Sequence, residues 1–264
     1  MCEINLILEK DFSSLSQHNL EIIIADLVKR LQCEYKKKDR SGIYGITQYE
    51  MAYNSNRIEG SWLSEDHTRS LFQTGTIQGD IVFRAKDVEE ANGHFKMFNH
   101  MLDTYDKPLT QDLIKKYHYE LKVGVFEDMA NGYPAGEYKI RKNIVGNVKT
   151  TAPENVEYEM QNLLDDYNSR NVVTMKELAQ FHRTYERIHP FQDGNGRTGR
   201  MILFKECLKN NMVPVIIRDK NKIDYFMGLQ QEKIDTLTEY FKREQEGYFQ
   251  SMRDFLRVLE KKKN

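Results

Sequence analysis

Long apolar runs are missing from this chain. No segment reaches the roughly 18 consecutive apolar residues that a membrane-crossing helix needs, so the sequence predicts no membrane partner. The start, Met1-Cys2-Glu3-Ile4-Asn5, has no basic segment followed by an apolar core, which speaks against a secretory leader and sets the expectation of a soluble, cytoplasmic protein. Cysteine is scarce: Cys2, Cys33 and Cys207 are scattered and form no Cys-x-x-Cys pair. That argues against a zinc site or a disulfide framework and fits a reducing compartment, with Cys207 expected to be buried. An excess of either charge is missing too. Lys plus Arg (39) nearly balance Asp plus Glu (40), for a formal net charge of −1, so no general electrostatic drive toward nucleic acid or anionic membrane exists and no nucleic-acid partner is expected. With five prolines and few alternating stretches, strand signals are sparse. Repeats and low-complexity tracts are absent, and 264 residues at 39% hydrophobic content suffice for one sizeable globular domain or for a core with a small extension.

What is present is helical periodicity. Leu20 to Lys36 aligns Leu20, Ile23, Ile24, Leu27 and Leu31 on one face. Lys36 to Gly42 then carries no apolar residue and reads as a polar connector. Helices are predicted over Ile46–Asn56, Glu65–Phe72 and Asp87–Asp103, over Gln111–Val123 behind the N-cap Thr110, and from Thr174 with its capping-box partner Glu177 up to Ile188. His94, His100, His118 and His182 read as hydrogen-bonded core histidines, since no His-Glu-x-x-His or similar ligand spacing occurs. Between the helical blocks, Gly136–Arg141 and Asn143–Thr151 hold β-branched residues around Gly146-Asn147, a short hairpin.

The densest chemistry lies in His189-Pro190-Phe191-Gln192-Asp193-Gly194-Asn195-Gly196-Arg197-Thr198-Gly199-Arg200. Gly194 and Gly196 permit the positive φ values that turn successive N–H groups into an anion nest. Met201, Ile202, Phe204 and Leu208 follow at helical spacing, so the loop opens a helix whose N-terminus favours a phosphate. Arg197 and Arg200 lie one turn apart with the planar fork that reads phosphate oxygens in pairs. Asp193 is a candidate Mg²⁺ ligand. Pro190 stops the preceding helix and leaves His189 at the loop mouth, where imidazole can take a proton from an incoming hydroxyl.

This run resembles the signature of the Fic family, His-x-Phe-x-Asp/Glu-Gly-Asn-Gly-Arg-x-x-Arg, with every fixed position matched. A Walker A loop would need a Gly-Lys-Ser/Thr ending, which is lacking. The resemblance implies a mainly α Fic fold, a helical bundle with a short β-hairpin flap, covering about Ile46 to Glu246. It implies transfer of AMP from ATP to a protein hydroxyl, with His189 as general base, Phe191 as a core anchor and Asp193 on Mg²⁺. Gly194, Asn195 and Gly196 would form the anion hole, and Arg197 and Arg200 would hold the β and γ phosphates. Family members surround adenine with apolar and aromatic residues in the region of Tyr225, Phe226 and Leu229, whose spacing suits core packing equally.

Ser55-Asn56-Arg57-Ile58-Glu59-Gly60 is similar to the family's inhibitory Ser/Thr-x-x-x-Glu-Gly/Asn motif, placed N-terminal to the core as in the class II arrangement. The resemblance pairs Glu59 with Arg200, so that the carboxylate competes with the γ-phosphate. It also makes Ile144, Val145, Gly146, Asn147, Val148, Lys149 and Thr150 the flap on which a target protein docks; the residues themselves leave a purely structural hairpin equally open. The implied organisation is a helical extension over 1–45, with homo-oligomerisation left open, and a Fic domain over 46–264 that includes the inhibitory helix at about 46–60. Two other functions stay open: removal of AMP from a modified protein using Glu59, and a regulatory ATP sensor that transfers nothing, for which His189 would have no use.

Overall fold

The computed structural model describes residues 12–77, 82–145 and 148–263. It is mainly helical, as expected. Helix α1 (Gln17–Lys36) turns Ile23, Ile24, Leu27 and Leu31 into the core and packs on α2 (Ile43–Ile58) and α4 (Ala85–Thr104). The amino-terminal segment therefore shares one hydrophobic core with the rest of the chain. Short α3 (Glu65–Thr74) starts at Ser64, whose hydroxyl accepts from His67 N, and ends at Gly75 in the left-handed region, the usual helix stop. Next come α5 (Gln111–Lys122), capped by Thr110, then α6 (Phe126–Ala130) and α7 (Val156–Asn168). Helix α8 (Met175–Ile188) begins with the predicted Thr174–Glu177 capping box.

The last three helices are α9 (Asn195–Lys209), α10 (Lys222–Gln230) and α11 (Ile234–Lys263). Helix α9 is the hub. Met201 to Leu208 are all buried and the helix touches α2, α4, α5 and α8. A helix buried on every side has lost the one-faced pattern of a surface helix, and its N-terminus projects from the middle of the bundle.

The strand expectation needs correction. Among the described residues, pairing is confined to β1 (Ile144–Val145) and β2 (Val148–Lys149), antiparallel with Ile144 opposite Lys149 and Val145 opposite Val148. Gly146 and Asn147, the predicted turn, lie outside the described residues. Residues 136–141 form no strand. They run beside the signature loop instead, where Lys139 N donates to Pro190 O (2.9 Å) and Arg141 N to Gln192 Oε1 (3.2 Å). Tertiary hydrogen bonds have taken the place of a hairpin ladder. Cys33 is disulfide-bonded, against the expectation drawn from the scattered spacing, because separation along the chain does not report distance in space. Cys207 is free and buried as expected.

Candidate active site

Helix α8 ends when His189 takes the left-handed conformation (φ 53°). The bend turns its imidazole out of the helix line, and Pro190 forbids continuation. The ring is half-buried. Burial, and then the Lys139 charge, lower its pKa to about 4 against the pull of the Glu186 carbonyl, Glu59 and Asp193. At neutral pH the imidazole is therefore uncharged and able to accept a proton.

The loop is held from below. Phe191 is fully buried and stacked on His118, with centroids 3.8 Å apart and planes within 1°. His118 Nδ1 accepts from Gly136 N (2.9 Å), which leaves its Nε2–H to donate to Asp193 O (2.9 Å). One ring thus ties residue 136 to the loop. The side chain of Asn195 exchanges two bonds with the backbone of Phe191 (2.7 and 2.8 Å), so it locks the loop and does not face an anion. The first intrahelical bond of α9 runs from Thr198 N to Gly194 O, leaving the N–H groups of Asn195, Gly196 and Arg197 without intrahelical acceptors.

The glycines divide their duties. Gly194 takes φ 81°, whereas Gly196 is helical, so only the first of the two uses the freedom that glycine permits. A Cβ on Gly196 would collide with Glu59 Oε1 and crowd Arg200 Nη1, so its missing side chain makes room for that pair.

Arg200 is buried. Its Nε donates to Ser55 Oγ (2.9 Å), and its Nη2 donates to Ser55 O (2.9 Å) and to Glu59 Oε1 (2.6 Å). Glu59 is about one-third exposed. Two segments 141 residues apart in sequence meet where α2 ends beside the first turn of α9. Arg197 is just as buried. It is paired with Glu90 and lies 3.4 Å from Asp193, while its Nε has no partner among the described residues.

Asp193 is one-third exposed and surrounded by Lys122 (2.8 Å), Arg197 (3.4 Å) and Lys86 (3.8 Å). Burial opposes its ionisation, but Arg197 and Lys122 outweigh this and hold the carboxyl far below the usual range. An ionised, partly exposed carboxylate suits Mg²⁺ bound through one protein oxygen plus substrate phosphates. The deeper cluster of Glu90, Asp128 and Asp193 has the Lys122 ammonium among its oxygens.

Near adenine's expected place the structure corrects one residue. Tyr225 is 1% exposed and its hydroxyl meets His182 Nε2 at 2.7 Å. Helix α10 turns Tyr225 and Gly228 inward, which makes Tyr225 a core residue. Phe226 is exposed and Leu229 partly buried, so these two still have surface to offer. Of the flap residues, the Thr150 hydroxyl accepts from Lys139 Nζ (2.8 Å) and donates to Asn143 O (3.0 Å). Lys139 is 3% exposed, pairs with no carboxylate among the described residues, and has its pKa lowered by burial to about 8.

Lys86, Glu90, Lys122, His118 and Glu186 were not singled out as site residues from the sequence. A signal existed for Lys122, which continues the buried stripe of Ile114, Tyr117, His118 and Leu121: a charge on an apolar face needs a buried partner. His94 departs from the hydrogen-bonded reading, because both ring nitrogens are buried without a partner among the described residues.

The Fic/DOC family model matches residues 108–206, which run from just before α5 through the signature loop into α9. The chain carries a Fic/DOC domain. It is 26% identical over 201 residues to "Protein adenylyltransferase fic-1" of Caenorhabditis briggsae, covering 72% of this chain and 38% of that one. To "Protein adenylyltransferase Fic" of Nematostella vectensis it is 28% identical over 189 residues, covering 69% and 43%. The chain thus spans less than half the length of these relatives. In fold, the Fic domain and its flanking helices resemble a Fic-domain-containing signaling protein from Bacteroides thetaiotaomicron, with TM-score 0.71 at 23% identity over 88% of this chain and 98% of that one. They also resemble a Fic-1 fragment from Caenorhabditis elegans, with TM-score 0.66 at 18% identity over 91% and 73%.

Four partly or fully buried histidines have a consequence for stability. His94, His118 and His182 are each lowered to about 3 by burial, and His189 to about 4. Between these values and the unfolded value near 6.5 the unfolded chain binds protons that the folded one refuses, so acidification through this window destabilises the fold. Glu186, raised to about 7 by burial, acts in the opposite direction, as do the raised carboxyls of Glu50 and Asp128, while His100, lowered by burial, adds to the histidines. Thermal unfolding midpoints should fall between about pH 7.5 and about pH 5, before most carboxylates titrate. A midpoint that held or rose would contradict the burial of these rings.

Proposed function

We propose that this chain is a self-inhibited protein adenylyltransferase that moves AMP from ATP to a hydroxyl side chain of a target protein. The observation that carries the reading is the Glu59–Arg200 pair (2.6 Å) set beside a helix N-terminus and a neutral His189. In the proposed reaction the target hydroxyl oxygen attacks the α-phosphorus and the bond to the bridging oxygen of the β-phosphate breaks. The hydroxyl proton passes to His189, and pyrophosphate leaves. The free N–H groups at the start of α9 and the two arginines bind the phosphates. Mg²⁺ arriving with ATP would be held by Asp193 and would neutralise phosphate charge. A pKa of about 4 makes His189 a weak base in the empty site; the negative charge of a bound triphosphate raises it toward the operating pH.

Glu59 inhibits in this account by taking the donors the γ-phosphate needs, so that ATP is bound without its α-phosphate in line. Phe226 and Leu229 are the proposed adenine contacts. The target docks on the flap: β1 and β2 pair with each other among the described residues, so each has an outer edge to which an extended segment can add by main-chain bonds. The described part of residues 1–45 is assigned as a helical extension of a Fic domain over 46–264, in which α1 braces the inhibitory helix α2; residues 1–11 lie outside the described residues.

Binding measurements test the phosphate assignment. Asp193→Ala should weaken ATP binding only when Mg²⁺ is present. Arg197→Ala should lose ATP affinity while adenosine affinity stays near wild type, because the lost partner faces phosphate. Equal losses for adenosine and ATP would mean that the loop had collapsed, and would remove the assignment.

A further inference from the structure

The most crowded buried charges in the molecule surround Lys122, at the end of α5. Its ammonium lies 2.6 Å from Glu90, 2.6 Å from Asp128 and 2.8 Å from Asp193. Lys122, Glu90 and Asp128 are almost fully buried, and Asp193 opens toward the loop mouth. The ammonium donates to Glu90 and Asp193, whereas Asp128 is held by charge proximity, its two oxygens buried without a hydrogen-bond donor among the described residues. The three carboxylates offer oxygens within 4.8 Å of one another, the kind of oxygen grouping that hard divalent cations take.

We propose that Lys122 is the resident cation of this carboxylate triad and that it makes divalent-metal binding at Asp193 conditional on the nucleotide. Lys122, Arg197 and Lys86 all face Asp193. Lys122 and Arg197, with Lys86 shared between Asp193 and the exposed Glu127 (3.3 Å), offset most of the negative charge of Glu90, Asp128 and Asp193 that would attract a bare divalent ion. A triphosphate changes this balance, because it brings negative charge and further oxygen ligands on the exposed side of Asp193, away from the ammonium. Lys122 also pins Asp193 Oδ2, while Asp193 Oδ1 accepts from Gly194 N (2.7 Å), so the carboxylate is held at the loop and cannot turn down into the cluster. Lys122 touches Asp193 and not the substrate, which makes it a positioning residue. The inference rests on the proposed role of Asp193 toward Mg·ATP.

Mn²⁺ titration followed by electron paramagnetic resonance tests it without any turnover. Wild-type protein should bind no Mn²⁺ below the millimolar range when nucleotide is absent, and one Mn²⁺ when a non-hydrolysable ATP analogue is present. Lys122→Ala, which empties the triad of its ammonium, should bind one Mn²⁺ without nucleotide, roughly tenfold or more tightly than wild type, and Mn²⁺ should raise its thermal midpoint. Equal Mn²⁺ binding by the two nucleotide-free proteins would overturn the proposal. Should Lys122→Ala fail to fold, wild type alone still decides, because submillimolar Mn²⁺ binding without nucleotide contradicts a resident lysine that excludes the ion. If the ATP analogue brings no Mn²⁺ to wild type, the role of Asp193 toward Mg·ATP fails, and the comparison of the two nucleotide-free proteins still judges Lys122.

Discussion

His189→Ala should lower AMP transfer by about 10² to 10⁴, the usual range for a lost general base, while ATP binds nearly as before. The separation follows from the geometry. His189 stands at the end of α8, whereas the proposed phosphate donors belong to α9 and the side chains of Arg197 and Arg200. Its ring is not part of the scaffold either. Nδ1 has no partner among the described residues, so removing the imidazole leaves the His118–Phe191 stack and the Asn195 clamp in place. Single-turnover transfer and equilibrium ATP binding, measured on the same preparation, check both halves. Transfer at the wild-type rate would end the assignment of the base, and lost ATP affinity would mean that the loop depends on the ring.

Glu59→Gly should raise transfer at least about tenfold, since each 1.4 kcal/mol of competition removed from the guanidinium is a factor of ten. The Arg200–Glu59 contact is short, and Arg200 is buried, so the carboxylate and a γ-phosphate cannot both have the same Nη2 donor. Arg200→Ala should not reproduce the gain. It removes the inhibitory pair but also the phosphate ligand, and transfer should stay low in the double variant, the non-additive pattern of residues that share one interaction. The remaining bonds of Arg200, to Ser55 Oγ and Ser55 O, keep the guanidinium in place once Glu59 is gone. A folded Glu59→Gly protein that binds Mg·ATP and transfers no faster than wild type would defeat the self-inhibition account.

The parts of the site that lay open in the sequence are those whose chemistry is local. His189 to Arg200 puts base, carboxylate, nest and cations on one loop, because a turn and the first helical step after it need those residues in that order. The helices predicted from apolar stripes have ends within a few residues of the observed ones, whereas α6 and α7 are not among the predicted segments. Contacts between distant segments were harder to read. Ser55 and Glu59 could be matched to Arg200 because they carry a motif, whereas Glu90, Lys122 and Asp128 have ordinary spacing and become a cluster only when α4, α5 and α6 pack. Tyr225 shows the reverse error. Its neighbours Phe226 and Leu229 share its apolar character, and periodicity does not say which face of a short helix points inward. The composition of residues 136–141 predicts a strand, but their backbone partners are on the signature loop, 51 residues away in sequence.

The central claim, that this domain transfers a nucleotidyl group from a site held shut by Glu59, meets its most direct test in paired label-transfer assays. Wild-type, Glu59→Gly and Glu59→Gly/His189→Ala proteins are incubated with Mg²⁺ and ATP carrying the label either at the α- or at the γ-phosphate, and protein-bound label is counted. The account predicts strong incorporation of the α-label by Glu59→Gly, weak incorporation by wild type, little by the double variant, and no γ-label on protein in any of them. Incorporation of the γ-label would make the chemistry phosphorylation, and absence of α-label from a folded, ATP-binding Glu59→Gly protein supplied with its own hydroxyls and those of a cell extract would contradict the account.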